Sequence, residues 1–165
     1  MVTIVIPFRA EAPKSRLPEP IRARLAEAML DDVRAACETH GDVVVAEAAG
    51  GQGAAVAEAL AALHGPVAIV NADLPCATAE DIAVLLAEAP ALAAARDGTT
   101  NALSLADARE FRPLYGPGSA ARFGLRPIEL ENLVDDVDTI ADLERVAERV
   151  GPATRSVLAL LKVPA

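Results

Sequence analysis

Carboxylates follow apolar runs at two places in this chain. Asp73 closes the stretch AIVNAD, whose first residues should form a buried strand, and Asp135, Asp136 and Asp138 crowd a loop further along. Like charges at this spacing repel, and carboxylate oxygens are ligands that Mg²⁺ prefers. In an extended segment Asp136 and Asp138 point to the same side. If Asp73 approaches from a neighbouring strand, the three form a metal site; the alternative is a turn residue and a solvated acidic loop.

Two other acidic residues have a structural explanation. Thr78 and Asp81 show the spacing of a capping box, and Thr139 and Asp142 repeat it. We therefore expect Asp81 and Asp142 to cap helices. Asp73 precedes the first of these caps, so a capping role does not explain it.

A basic loop should follow the first strand. Arg9, Lys14 and Arg16 lie in the Pro-interrupted stretch PFRAEAPKSRLPEP at residues 7–20. Positive charges ahead of a helix can hold phosphates, although a solvated basic loop would have the same composition. The phosphate-binding pattern GxxxxGK[ST] is absent from the sequence.

Two loops offer neutral groups that bind anions. RDGTTNAL contains Thr100, and YGPGSAARF contains Ser119 and Arg122. Glycine backbone, hydroxyl groups and an arginine could hold a phosphate at a helix start, although each loop alone could be a plain turn. His40 and His64 precede glycines at predicted helix ends, where we expect capping. The residues thus favour metal-assisted phosphoryl or nucleotidyl transfer over catalysis by a protein nucleophile.

Strand and helix patterns alternate along the chain. Strands are predicted at 2–6, 42–46, 66–70, 91–95 and 101–105 with short ones near 127–135, and helices at 20–38, from the Gly-rich turn 50–53 to about 63, and at 79–88, 139–150 and 153–162. This alternation predicts a single α/β domain over 1–165 with a largely parallel sheet. Ligands of such sheets bind beyond the carboxyl ends of the strands, where the unusual stretches lie.

Bulk properties exclude several classes of partner. The net charge of −9 and pI near 4.7 argue against nucleic acid and anionic membranes, which require a positive surface. The start MVTIVIP has no basic leader and is too short to span a membrane, so we expect a cytoplasmic protein. Cys37 and Cys76 are far apart in the sequence and are expected to be buried, apolar and unreactive.

Six ordered motifs resemble a known family over nearly the whole chain. They are PFRAEAPKSRL, GGQGAAVAEAL, NADLP, DGTTNAL, YGPGSAARF and DDVDTIADL. They resemble the 2-phospho-L-lactate and phosphoenolpyruvate guanylyltransferases, which serve synthesis of the deazaflavin coenzyme in archaea and actinobacteria. The resemblance implies a Rossmann-like nucleotidyltransferase fold of the glycosyltransferase A type, a three-layer sandwich with a mostly parallel mixed sheet. It also implies GTP, Mg²⁺ and a phosphorylated three-carbon acid as partners.

The resemblance also implies roles for individual residues. The family's metal ligands correspond to Asp73, Asp136 and Asp138, and Asp73, Lys14 and Arg16 are the predicted catalytic set. The predicted acid-binding residues are Thr100, Gly116, Ser119 and Arg122, and the predicted nucleotide-binding residues are Arg9, Lys14, Gly51 and Gln52. The acid could be phosphoenolpyruvate, phospholactate or 3-phosphoglycerate, and the state could be monomeric or homodimeric.

This chain departs from the family pattern at three points. The segment VVVAEAAGGQG is short, the family's Gly-Leu-Asn reads Gly51-Gln52-Gly53, and Phe123 stands where the family often has histidine. Two other functions remain open: a nucleotidyltransferase with another acceptor, such as a molybdopterin or a sugar phosphate, or a nucleotide-binding module without turnover.

Overall fold

A computed structural model describes residues 1–9 and 21–161 of the 165-residue chain. The strands are β1 Thr3–Phe8, β2 Asp42–Glu47, β3 Val67–Val70, β4 Ala91–Ala94, β5 Thr100–Leu105 and β6 Arg126–Pro127. The α-helices are α1 Ile21–Glu38, α2 Gln52–Leu60, α3 Ala79–Ala87, α4 Ser119–Phe123, α5 Glu131–Val134, α6 Ile140–Val146 and α7 Pro152–Leu161, with a short 3₁₀ helix at Ala108–Glu110.

Within the described residues the strands form one sheet in the order β2-β1-β3-β5-β4-β6. β1 pairs in parallel with β2 and β3, while β5 runs antiparallel to both β3 and β4. β6 is parallel to β4. β5 is therefore the one reversed strand of this sheet, and the loops after β1, β2, β3 and β4 emerge at the same edge.

Helices cover both faces of the sheet because the strands are apolar on both sides. Ile4 and Ile6 of β1 pack with residues of α1, α3 and α5, whereas Val5 between them packs with α2 and the aromatic loop before α4. Alternate residues of a strand face opposite sides, so the central strands β1, β3, β4 and β5 each contribute to two cores. The predicted α/β three-layer architecture with a mostly parallel sheet is confirmed.

A third apolar cluster lies between α1, α6 and α7. Met29 of α1 packs there with Cys76, Val137 and Val146. α7 is attached to α1 by the buried Asp32, whose carboxylate oxygens accept from the backbone N–H groups of Ala153 and Thr154, each at 2.9 Å. Val137 lies between Asp136 and Asp138 in the sequence, so its packing in this cluster holds the acidic segment in place.

Most predicted elements are confirmed, one prediction is wrong, and one helix is shorter than predicted. Only Arg126–Pro127 forms a strand in the segment expected to hold short strands near 127–135, and Glu131–Val134 is helical. The helix predicted over 139–150 ends at Val146. Local patterns are weak in both places because short elements take their conformation from tertiary contacts.

Other local predictions had mixed outcomes. Both cysteines are free and buried, as expected. The N–H of His40 donates to the carbonyl oxygen of Cys37 at 2.9 Å at the end of α1, and its Nε2 lies 2.7 Å from the carbonyl oxygen of Ala79, so His40 also joins α1 to the start of α3. The cap predicted for His64 stays a prediction. In the part of the chain that the structure describes, no helix is long and apolar enough to span a membrane.

Candidate functional site

Three carboxylates meet at the edge where the parallel strands end. Asp73 lies three residues beyond β3, and Asp136 and Asp138 follow α5. One oxygen from each of these half-buried side chains lies within 4.8 Å of the others. The two segments are joined by the N–H of Val137, which donates to the carbonyl oxygen of Asp73 at 3.0 Å. The sequence predicted this convergence.

The electrostatics of this cluster fit a cation. Burial and, after it, the nearby Asp73 and Asp138 together raise the pKa of Asp136 to about 6, and a hydrogen bond from Asn101 opposes this rise. The charged form of Asp136 is therefore destabilised where no positive charge is present. Three hard oxygen donors from two segments form a set suited to Mg²⁺, so the residues fit the metal that the resemblance implies.

Asp135 is directed away from this cluster. Its carboxylate is 1% exposed and accepts hydrogen bonds of 2.6 Å from Arg96 Nε and from Arg149. The Nε of Arg145 lies 3.4 Å away. The hydrogen bond from Arg96 is the largest cause that lowers the pKa of Asp135. Asp135 therefore anchors the acidic segment to arginines, a role the sequence pattern did not distinguish from that of its neighbours.

The cap of α6 holds the backbone of Asp138. The carboxylate of Asp142 accepts from the N–H groups of Asp138 at 3.1 Å and Thr139 at 2.9 Å. Thr139 completes a capping box with Asp142. Thr78 and Asp81 form the same motif at the start of α3. Both capping predictions are confirmed, and the cap formed by Thr139 and Asp142 positions the candidate metal ligand Asp138.

Two predicted acid-binding residues contact each other. The hydroxyl oxygens of Thr100 and Ser119 lie 2.9 Å apart, and both residues are buried. Gly116 has a φ of +109°, which glycine tolerates, and its carbonyl oxygen accepts from the Ser119 N–H at 3.0 Å. The structure thus brings these three residues together at the sheet edge. The hydroxyl pair joins the start of α4 to β5.

Arg122 stabilises its own loop in this structure. One terminal nitrogen donates to the carbonyl oxygens of Leu114 at 2.9 Å and Tyr115 at 3.1 Å, and the other donates to that of Pro117. These bonds give Arg122 a structural role beside the predicted contact with the acid, which stays a prediction.

The Gly-rich turn contacts the end of β3. Gly51 has a φ of +102° and precedes α2, and Gln52 donates through Nε2 to the side-chain oxygen of Asn71 at 2.6 Å. The Asn71 amide in turn donates to the carbonyl oxygen of Thr100 at 3.0 Å. The turn predicted to bind nucleotide is therefore linked to the acid-binding pair by side-chain amides.

The basic residues of the first loop are only partly described. Arg9 is exposed and directly follows β1. Lys14 and Arg16 lie outside the described residues. Their predicted contacts with the nucleotide stay predictions.

Two polar residues at the site were not singled out from the sequence. The N–H of Asn71 donates to the carbonyl oxygen of Asn101, and the Asn101 side chain also reaches Asp136. Asn71 directly follows β3 and Asn101 lies in β5, and an isolated asparagine gives no signal of its partners.

The chain is similar to several curated proteins. It is 36% identical to the phosphoenolpyruvate guanylyltransferase of Streptomyces coelicolor over 154 residues, covering 81% of this chain and 72% of that protein. It is 32% identical to the 2-phospho-L-lactate guanylyltransferase of Natrialba magadii over 194 aligned positions, covering 87% and 82%. This alignment is longer than the 165-residue chain, so the Natrialba protein contains insertions.

A third relative is matched over a shorter range. The phosphoenolpyruvate guanylyltransferase of Nocardia farcinica is 40% identical over 118 residues, which cover 64% of this chain and 52% of that protein. The chain thus spans about half the length of this relative. No protein-family profile matches the chain.

Solved structures support the fold. A Desulfovibrio desulfuricans G20 structure described as a nucleotide-diphospho-sugar transferase superposes with a TM-score of 0.71 at 18% identity, covering 96% of this chain and 94% of the other. A homologue of a Mycobacterium tuberculosis protein, from Mycobacterium sp. strain JC1, gives a TM-score of 0.54 at 22% identity, covering 95% and 98%. At these identities the likeness concerns the fold alone, which is of the nucleotidyltransferase type.

Proposed function

This chain belongs to the family of the phosphoenolpyruvate and 2-phospho-L-lactate guanylyltransferases, and from that membership we propose that it guanylylates a phosphorylated three-carbon acid. A phosphate oxygen of the acid forms a bond to the α-phosphorus of GTP. The bond from that phosphorus to the bridging oxygen of the β-phosphate breaks, and pyrophosphate leaves with the electron pair.

The observation that carries the proposal is the convergence of Asp73, Asp136 and Asp138 within 4.8 Å. These side chains would hold Mg²⁺, which when bound supplies positive charge to the phosphates. Catalysis of phosphoryl transfer rests on positioning and on charge neutralisation, so no protein nucleophile is required.

Other residues orient the two substrates in this proposal. Arg9, Lys14 and Arg16 carry positive charge toward the GTP phosphates, and Gly51 and Gln52 contact the nucleotide. Thr100, Gly116 and Ser119 lie on the side of the acid. Because the Thr100 and Ser119 hydroxyls pair with each other, contact with the acid requires at least one of them to turn toward the cleft.

The acceptor in this proposal is phosphoenolpyruvate or 2-phospho-L-lactate, and the product enters deazaflavin coenzyme synthesis in the cytoplasm. Both names come from relatives of the chain. The two acids differ at the carbon chain beside one shared phosphate and carboxylate, so the same anion-binding loops would serve either.

Pyrophosphate release tests the proposal. Purified protein with GTP and Mg²⁺ should release pyrophosphate when phosphoenolpyruvate, 2-phospho-L-lactate or 3-phosphoglycerate is added singly. Asp73→Asn should reduce the rate by at least about 100-fold, since loss of a group that stabilises the transition state costs this much or more.

Asp107→Asn is the matched control, because Asp107 lies after β5 at the opposite edge of the sheet. It should keep the rate of the wild type. CTP and ATP are assayed beside GTP. The proposed guanylyl transfer is contradicted if no pyrophosphate is released with any acid and nucleotide. It is also contradicted if the enzyme turns over CTP or ATP in place of GTP.

A further inference from the structure

β5 contains an irregularity where it reaches the site. Leu103 of β5 pairs with Leu92 of β4, and Ala102 pairs with Ala93. The next pair is Thr100 with Ala94, so Asn101 has no partner of its own in β4. Asn101 is therefore an extra residue opposite the junction of Ala93 and Ala94. An inserted residue of this kind is a β-bulge, and it reverses the alternation of side chains beyond it.

The bulge sends two adjacent side chains to different parts of the site. Ala102 packs in the core that contains Leu133, and without a bulge Thr100 would face the same side. Instead Thr100 bonds to Ser119 of α4 on the opposite face. Asn101 faces the side of Leu133, where the acidic segment begins.

Asn101 contacts both segments that carry the acidic cluster. Its side-chain nitrogen lies 2.9 Å from the carbonyl oxygen of Leu133, 3.2 Å from that of Val134 and 3.3 Å from Oδ1 of Asp136. Its own carbonyl oxygen accepts from the N–H of Asn71, two residues before Asp73. The residue is 2% exposed, so these bonds form away from solvent.

The carbonyl groups determine which way the amide points. Backbone carbonyl oxygens only accept, so the NH₂ group must face Leu133 and Val134. The same NH₂ group then faces Asp136 and presents a donor to its carboxylate. The contact with Asp136 is thus imposed by the backbone around it.

We propose that Asn101 is a positioning residue that orients Asp136 for metal binding. The inference rests on the proposed function, since it assigns to Asp136 the role of a metal ligand. Partners that orient metal ligands commonly change metal affinity by about 10-fold to 100-fold when removed. We therefore expect Asn101→Ala to weaken metal binding without removing any ligand.

Mn²⁺ affinity of the purified full chain tests the inference. Free Mn²⁺ is measured by electron paramagnetic resonance during titration, and the binding lost in Asp73→Asn defines the site. Asn101→Ala should raise the dissociation constant of this site by about 10-fold.

Ser104→Ala is the matched control. Ser104 is also a buried polar residue of β5, and its hydroxyl donates to the carbonyl oxygen of Leu85 at 2.7 Å, within α3. Its loss removes a buried hydrogen bond of similar kind, so a merely structural effect would appear in both variants. The Mn²⁺ dissociation constant of Ser104→Ala should equal that of the wild type.

A measurement on the wild type covers the case in which Asn101→Ala does not fold. The side-chain amides of the chain belong to Asn71, Asn101, Asn132 and Gln52, which makes their ¹⁵N signals simple to assign. On titration with Mg²⁺ the Asn101 amide should shift with the dissociation constant of the site. The amide of Asn132, which bonds to Asp81 and Arg149, should move less.

The outcomes separate this inference from the proposed function. If the wild type binds Mn²⁺ and a folded Asn101→Ala binds it with unchanged affinity, the inference alone is overturned. The same holds if the wild type binds the metal but the signal of its Asn101 amide does not shift. No Mn²⁺ or Mg²⁺ binding by the wild type would overturn the metal centre of the proposed function and this inference with it.

Discussion

Two neighbouring carboxylates at the site have opposite environments. Asp135 is nearly inaccessible and is surrounded by arginines, which lower its pKa, whereas burial and like charges raise the pKa of Asp136. The two adjacent side chains have different partners: Asp135 is anchored by arginines, while Asp136 faces the like-charged Asp73 and Asp138. Anchoring and ligand presentation are thus divided between adjacent residues.

Asp136→Asn should separate stability from function. Without metal, the substitution removes a charge that burial and the nearby Asp73 and Asp138 disfavour. We expect the free energy of unfolding at pH 7 to rise by about 1 kcal/mol, less than the full pKa shift would give because the amide is also desolvated. Urea denaturation in the presence of EDTA measures this change.

The same variant should lose Mn²⁺ binding at the site and pyrophosphate release. Such a gain of stability at the expense of activity is common where like charges are gathered for function. A lower free energy of unfolding than the wild type, measured without metal, would contradict the electrostatic account of Asp136.

Among the elements, the loop before α4 is held by unusual contacts. Phe111, Tyr115 and Phe123 pack together with ring centroids 5.4–6.4 Å apart, and Tyr115 and Phe123 meet edge to face. Phe123 thus fills an apolar cluster at the position where the family often has histidine. Arg122 adds hydrogen bonds to three carbonyl oxygens of the loop.

Arg122→Ala should loosen this loop. The substitution leaves carbonyl oxygens of the loop without their donors, and we expect a loss of about 1 kcal/mol in the free energy of unfolding. Limited proteolysis should cut near residues 114–118 faster than in the wild type. If the loop binds the acid, the KM for the acid should rise while the KM for GTP stays close to the wild-type value.

Arg122→Lys should not restore wild-type proteolysis or KM values. The planar guanidinium group of arginine donates to several acceptors at fixed angles, which a single ammonium group cannot do. Arg34→Ala is the control, since Arg34 pairs with the exposed Glu38 on the surface of α1. Wild-type proteolysis and KM values in Arg122→Lys would show that charge alone is sufficient at this position.

Across the whole molecule, the two ends of the sheet differ in electrostatics. The end with the acidic cluster gathers like charges. At the opposite end Asp107 accepts two side-chain bonds of 2.8 Å from Arg109 and lies 3.4 Å from the N–H of Gly65. The hydrogen bonds from Arg109 are the main cause that lowers the pKa of Asp107. Opposite charges are therefore paired at one end, whereas like charges meet at the other.

Asp107→Asn should lower stability in a pH-dependent way. Because the folded-state pKa of Asp107 is depressed, its contribution is present above the unfolded pKa of about 4 and is lost as the pH falls toward the folded value. The difference in Tm between the wild type and the variant should be largest at neutral pH and should shrink below about pH 4. A difference that stays constant from pH 7 to pH 3 would contradict this account, and Asp31→Asn on exposed α1 surface is the control.

Much of the architecture was predictable because its signals are local. Apolar runs that alternate with helical periods predict parallel strands, and parallel strands bring their carboxyl ends to one edge. This rule predicted that Asp73 lies at the binding edge, whereas its meeting with Asp136 and Asp138, which follow α5, was expected from the family resemblance. The caps at Thr78 and Thr139 were predictable for the same reason, since a capping box is contained in four residues.

The sequence by itself determined the layered fold, the family and the meeting of the three carboxylates, because each follows from short-range pattern or from ordered motifs. Only the tertiary structure decided that Asp135 turns to the arginines, that Thr100 pairs with Ser119 and that Asn101 reaches Asp136. These contacts join residues 14 to 39 positions apart. The contacts of Thr100 and Asn101 depend on one extra residue in β5, and a bulge arises from the register between strands, which local sequence does not encode.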